Sequence, residues 1–384
     1  MENAMDKALT APGLRFWPVG NGDSTTIRVT EDVFLQVDLC HLECAEDDDD
    51  DRCPVVDRLV SMLPTRNGKP YLSVFALTHP DEDHCCGFRE LLRRVTIGEL
   101  WHTPRIFREY RKDLCKEAVA FREEAHRRAR ATMQANGDPG AGNRVRLVGW
   151  DEYLQEDAYK GFPKSKLSIP GTAVTELDAT DHAASFRAFI HAPFKDDADG
   201  SRNETSLAMQ VTLRDSESKG RVLLLGDLSY PTIKRIFDSS RADDVAWDVL
   251  LASHHCSKSV MYWRGEGEED ETRRPDILKA LENAAGSPGT VIASSVTVPT
   301  TNQPGDDPPH AKAKARYQEI APGGFFCTAD HEPDAISYAI TEDGFELQGA
   351  AGDDHGAEAV RAAVVAARGS GAPPRDPVGF GRQA

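Results

Sequence analysis

Short apolar runs, each ended by turn-forming or charged residues, recur along this chain and set its predicted elements. Tyr71–Leu77 is almost continuously apolar, the pattern of a strand buried on both faces. Ahead of it, Leu14–Val29 reads as two strands around a Gly-rich turn, and Phe34–Leu39 alternates apolar and polar residues as a further strand. Behind it come a short helix near Phe88–Val95 and a short strand at Ile97–His102. Residues 105–134 read as one long helical stretch, broken by Asn136–Gly142, while 143–183 shows no clear period. Strand patterns resume at Ser185–Pro193, Ser206–Arg214 and Arg221–Leu225, followed by a helix near Thr232–Asp238 and a strand at Trp247–Ala252. The final third continues with a helix near Asp276–Ala285, a strand at Thr290–Ser294, a helix at Ala311–Ile320, and strands at Phe325–Thr328 and Ala335–Ile340. Strand groups alternating with helices predict a layered α/β protein whose site lies where loops leave the strand ends.

Composition narrows the class. The 384 residues carry a formal charge of −18, which counts against a protein that coats nucleic acid non-specifically. Asp47–Asp51 and Glu266–Glu271 are acidic blocks expected in exposed loops. Residues 105–134 run the other way, with nine Lys or Arg against five acids, so a local groove or a protein partner can be sited there. The same acids stand at spacings that allow internal ion pairs and an ordinary solvated helix. No run approaches the length of a membrane span, and Met1–Lys7 lacks the signature of a signal peptide. Eight cysteines without a C-x-x-C pair fit reduced thiols and a cytoplasmic protein, with no membrane partner. Beyond about Gly349 the chain is rich in Ala, Gly and Pro; residues 350–384 read as a flexible tail with one short helix at Glu358–Arg368.

The densest chemistry follows Tyr71–Leu77. His79, Asp81, Asp83 and His84 form the pattern H-x-D-x-D-H at the end of a buried strand. Buried carboxylates beside imidazoles are costly unless a cation neutralises them, so the cluster reads as a metal site rather than a solvated acidic turn. Further candidate ligands also follow apolar strands: Asp227 after Val222–Gly226, and His254 and His255 after Val249–Ser253. His310 precedes a helix. Ser257, Lys258 and Asn203 are candidate substrate-binding groups, since a lysine and polar donors beside a metal centre suit a phosphate oxygen.

In this order, Gly22-Asp23-Ser24, His79–His84, Asn203–Ser206, Gly226-Asp227, His254–Lys258 and the His310 region resemble the metallo-β-lactamase fold superfamily, and within it the ComEC/Rec2-like branch. The resemblance runs through most of residues 14–340. It implies one domain over residues 1–349, an αββα sandwich with a dinuclear metal site on one edge, and marks 102–184 as a helical, locally basic insertion. It implies that His79 and Asp81 hold one metal and Asp83 and His84 the other, with Asp227 bridging and His310 completing the second site. Of His254 and His255, one would be a ligand and the other a proton donor; His255 is taken as the ligand and His254 as the donor. Asp83 and His254 are the implied catalytic pair, and Asp23 the outer support of a ligand.

The chain departs from the usual pattern in three places. Asp81 stands where many members have histidine, which hardens the site and sets Mn²⁺ against Zn²⁺. Cys256 replaces a usual glycine, and Cys85-Cys86 replace small or apolar residues. No histidine supplies the usual third ligand of the first metal: His102, His126, His182 and His191 are available, and His191 sits in an apolar strand as a structural residue. The reading that follows is a metal-dependent hydrolase with two divalent ions, cleaving phosphodiesters as a nuclease acting on DNA. The alternatives are a hydrolase of a small phosphodiester or of a thioester or amide conjugate, and a non-catalytic scaffold that recruits partners through the insertion.

Overall fold

The computed structural model of the chain describes residues 9–42, 52–195 and 201–348. The predicted Asp47–Asp51 block and the tail helix at Glu358–Arg368 lie outside the described residues. The described chain opens with β1 (Gly13–Phe16), β2 (Thr25–Thr30) and β3 (Val33–Val37), then helix α1 (Val55–Met62) and β4 (Lys69–Leu77). A one-turn helix α2 (Glu82–Cys85) and α3 (Phe88–Arg94) lead to β5 (Thr96–His102), α4 (Lys116–Gln134), β6 (Arg144–Val148), β7 (Leu167–Ser168) and β8 (Ala173–Val174). There follow β9 (Phe186–Ala192), β10 (Ala208–Asp215), β11 (Ser218–Leu224), α5 (Tyr230–Ser239) and β12 (Trp247–Leu251). The series closes with α6 (Pro275–Ala284), β13 (Ala285–Ala293), α7 (Ala311–Ile320), β14 (Phe325–Cys327), β15 (Ile336–Thr341) and β16 (Gly344–Gln348).

Two sheets result. The first runs β16-β15-β1-β2-β3-β4-β5-β6-β7, and the second β14-β13-β12-β11-β10-β9-β8. Strand alternation then builds the layers. On β4, Val74 and Ala76 face the second sheet, where they meet Val211, Val222 and Val249, while Phe75 and Leu77 pack under Phe88, Leu91 and Phe121 of α3 and α4. On β11 and β12, Leu223 and Leu250 point the other way, onto Ile233 and Ile236 of α5, Ile277 and Leu281 of α6 and Tyr317 of α7. The order of layers is helix, sheet, sheet, helix: the expected αββα sandwich. Among the described residues, no helix is long and apolar enough to cross a membrane.

The stretch 102–184 departs from a purely helical insertion. Its helix α4 starts only at Lys116, because the chain turns extended at Glu109 and Leu114 and restarts where the Ala118 N–H is capped by the Cys115 sulfur. The segment without clear period then supplies β6 and β7, parallel extensions of the first sheet beside β5, and β8 on the edge of the second.

Two buried histidines in this frame give it a pH dependence. His102 sits among Phe107, Phe121 and Tyr159 with Nδ1 against the Thr103 carbonyl, 2.8 Å away. His191 bonds the Asp244 carbonyl and the Ser240 hydroxyl. Burial lowers each from 6.5 to about 4. The unfolded chain therefore takes up these protons first as pH falls below about 6.5, and stability is progressively lost until the folded groups titrate near 4. Each histidine is expected to account for about 3 kcal/mol of that loss. Urea unfolding of His191→Gln between pH 7 and 4 should show a visibly flatter decline than the parent; parallel curves would refute the assignment.

Candidate metal centre

Parallel pairing puts the ends of β3 and β4 side by side, and those of β11 and β12 likewise, so the loops leaving them converge on one rim. Leu77 ends β4, and the following turn carries His79 and Asp81 before α2 presents Asp83 and His84. Asp227 follows β11 through Gly226, whose φ is +55° and where any Cβ would lie 2.8 Å from that of Ser206. Only glycine fits that turn.

Asp227 is the centre. Its Oδ1 lies 3.3 Å from His84 Nε2, and its Oδ2 lies 3.8 Å from His79 Nε2, 3.7 Å from His254 Nε2 and 3.6 Å from His255 Nε2. Asp81 Oδ2 stands 3.4 Å from His79 Nε2, and Asp83 Oδ2 stands 3.1 Å from His255 Nε2. Asp83, His84, Asp227 and His255 together offer four ligand atoms within 4.8 Å of one another.

The hydrogen-bond ledger shows which nitrogens are committed. His84 Nδ1 pairs with Asp38 at 2.8 Å, and His79 Nδ1 faces the hydroxyls of Thr78 and Ser206 at 3.1 and 3.3 Å. The Nε2 atoms of His79 and His84 and Oδ1 of Asp227, all buried, find no hydrogen-bond partner among the described residues. Orphaned buried polar atoms of this kind are costly. Imidazoles anchored through Nδ1, with Nε2 left without a hydrogen-bond partner beside a carboxylate, suit a divalent cation held between them. The residues present fit a metal.

Electrostatics agree in direction. Burial pushes the Asp227 carboxyl up, but the facing His84 and His255 outweigh it and hold it well below the ordinary carboxylate range. Burial would lower His84; the Asp227 and Asp38 carboxylates instead raise it well above its usual value. His255 is pushed up to about 10, its burial overcome by Asp227, Asp23 and Asp83. Burial and His79 oppose each other at Asp81, and with Arg202 added its carboxyl is held far below normal.

Two contributors escaped the sequence reading. Asp38, just past β3, has φ +54° and is buried; its carboxylate accepts from the Thr78 N–H and hydroxyl and anchors His84. In the sequence it lies inside the alternating run Phe34–Leu39, whereas the strand itself ends at Val37 and leaves Asp38 in the turn. Arg202 bonds Asp81 Oδ1 at 2.7 Å and the Asp113 carbonyl, so it turns the other Asp81 oxygen toward His79 and ties it to the insertion. A lone arginine in a polar loop gave no sequence signal.

The remaining candidates are distributed as follows. His254 and His255 both face Asp227, but the His255 side chain is 3% exposed and that of His254 29%, which puts His254 on the rim. His254, His255 and Cys256 all have positive φ, 51°, 51° and 67°, a left-handed turn without a glycine. Asp23 Oδ1 lies 3.6 Å from His255 Nδ1, outside the ring of Nε2 atoms. His310 stands apart from the cluster: its Nδ1 accepts the Lys258 N–H and its Nε2 donates to the Asp306 carbonyl, so one nitrogen braces the His254–Lys258 loop and the other is committed to Asp306. The Ser257 hydroxyl accepts the Ser259 N–H, Lys258 pairs with Glu271 at 2.8 Å, and the Asn203 carbonyl accepts the Ser206 hydroxyl. A cavity of about 620 Å³ adjoins Asp83, walled by Pro18, Val19, Cys40 and Val296 with Arg52 and Glu82 at its sides.

No protein-family model and no curated protein matches this chain. Solved structures similar to it include the metallo-β-lactamase fold protein YhfI from Bacillus subtilis, at 11% identity, 82% of this chain, 96% of that one and a TM-score of 0.39. CmlA, a diiron β-hydroxylase from Streptomyces venezuelae, matches at 12% identity over 74% of this chain and 45% of its own, with a TM-score of 0.34. The subclass B3 metallo-β-lactamase BJP-1 of Bradyrhizobium japonicum matches at 14% identity over 64% and 78%, with a TM-score of 0.30.

Proposed function

We propose that this chain is a hydrolase of the metallo-β-lactamase type that holds two divalent cations and cleaves phosphodiester bonds, in the first reading as a nuclease. The observation that carries the metal reading is the set of buried, unpartnered ligand atoms of His79, His84 and Asp227 facing one another. His79 and Asp81 would hold one ion and Asp83, His84 and His255 the other, with Asp227 between them. When bound, such ions would supply Lewis acidity and a water acidic enough to attack at neutral pH. The protein's part is to fix that array: Asp38 and Ser206 orient His84 and His79, and Arg202 orients Asp81. In this reading His254, at the rim and facing Asp227, would hand a proton to the leaving group.

A second reading, a small phosphodiester in place of a polymer, is favoured by the insertion. Several of its guanidinium groups pair with neighbouring acids, Arg105 with Glu109, Arg108 with Glu156, Arg111 with Glu123 and both Arg127 and Arg128 with Glu124, which lowers the charge open to a nucleic-acid backbone. The test is a panel of labelled DNA, RNA, cyclic dinucleotides and a chromogenic phosphodiester, each with Mn²⁺ or Zn²⁺. Cleavage of polymers supports the first reading, cleavage of the small esters alone supports the second, and no turnover on any member rejects both.

A further inference from the structure

We propose that Cys85 and Cys115 are a peroxide-sensitive dithiol that closes to a disulfide and so ties the insertion helix to the turn bearing Asp83 and His84. The two sulfurs lie 3.8 Å apart although they belong to different elements. Cys85 is the last residue of α2, one step past His84, and is fully buried. Cys115 caps the 19-residue helix α4 and is partly exposed, so a small oxidant can reach it. The Ala118 N–H points at its sulfur from 3.3 Å, and the amino end of a long helix favours a thiolate. In keeping with that placement, the Cys115 thiol is lowered to about 6, chiefly by the hydrogen bond from Cys85.

The chemistry closes with hydrogen peroxide as the named oxidant. The Cys115 thiolate attacks one peroxide oxygen, the O–O bond breaks, hydroxide leaves and a sulfenic acid forms. The Cys85 sulfur then attacks the Cys115 sulfur, the S–S bond forms as the S–O bond breaks, and water departs with the Cys85 proton. Two electrons pass from the thiols to the peroxide. A disulfide needs its sulfurs about 2.05 Å apart, so they must close by about 1.8 Å from where they stand. Part of that travel falls on α2, a single turn whose Asp83 and His84 face Asp227. Displacements of about 1 Å are enough to spoil a metal array.

The effect on the metal rests on the centre proposed above, whereas the cross-link does not. The experiment treats the full chain with graded peroxide, maps peptides without reduction, and measures Zn²⁺ affinity of the reduced and oxidised forms. The expected result is a Cys85–Cys115 peptide pair, formed at lower peroxide than any other cysteine product, with Zn²⁺ affinity reduced at least about tenfold and restored by thiol reductant. Cys115→Ser, and Cys115→Ala as a second variant in case one folds poorly, should keep the reduced form's affinity under peroxide. Oxidation of Cys115 to sulfinic acid without a cross-link overturns the proposal. A cross-link with unchanged affinity overturns its coupling to the site, and a reduced chain that binds no Zn²⁺ removes the metal centre while the cross-link stands.

Discussion

Asp227→Asn should leave the sandwich folded and strip it of metal. The side chains are the same size, so no cavity opens, but the amide offers its facing imidazoles a neutral oxygen where the parent has a shared negative charge. Metal analysis of the purified variant is expected to find less than one tightly held ion per chain against two in the parent. Loss of the central ligand should cost about 4 kcal/mol of transition-state stabilisation, about a 10³-fold fall in kcat/KM. Stability gives an independent reading. A ligand at a thousand times its dissociation constant adds about 4 kcal/mol to the folded state. Zn²⁺ should therefore raise the unfolding midpoint of the parent and hardly move that of the variant. Two retained ions, or an unchanged rate, would remove Asp227 from the centre of the site.

Asp38→Asn should weaken metal binding by about 10- to 100-fold although residue 38 is no ligand in this arrangement. Asparagine tolerates the left-handed backbone found there, φ +54°, so the substitution tests the carboxylate alone. Its amide can still accept one of the two Thr78 donors, but it no longer holds the His84 ring with a charge-assisted bond. The buried group left wanting should destabilise the fold by about 1–3 kcal/mol. Asp38→Ala should do worse on stability, since alanine also bears the strained backbone. Titration calorimetry of the two variants separates the effects; parental Zn²⁺ affinity in Asp38→Asn would show that His84 needs no such support.

Much of this frame was legible because a strand buried on both faces leaves a plain mark. Tyr71–Leu77, Arg221–Leu225 and Trp247–Ala252 were readable as apolar runs and fall within or against β4, β11 and β12. The candidate ligands were readable for a related reason: a charged residue directly after such a run has little to do in a core. Asp38 was hidden because alternation in Phe34–Leu39 makes it look like one more outward-facing polar residue, when φ +54° turns it inward. The segment 143–183 was opaque because β7 and β8 have only two residues each, too short for any period. His310 misled for the opposite reason, since a histidine before a helix carries no information about whether its nitrogens already have backbone partners.

The pairing of β1 with β15 sets a timetable for synthesis. Arg15 donates to Ser337 across 322 residues of chain, and the strand that covers one side of β1 is among the last of the described elements to leave the ribosome. At about 10 residues per second, roughly half a minute separates the two strands. Throughout that interval the emerging polypeptide carries an open sheet margin able to pair with another nascent copy. Premature termination anywhere before Ile336 would make the exposure permanent, so truncated products of this chain should be recovered as aggregates and not as a smaller soluble fragment.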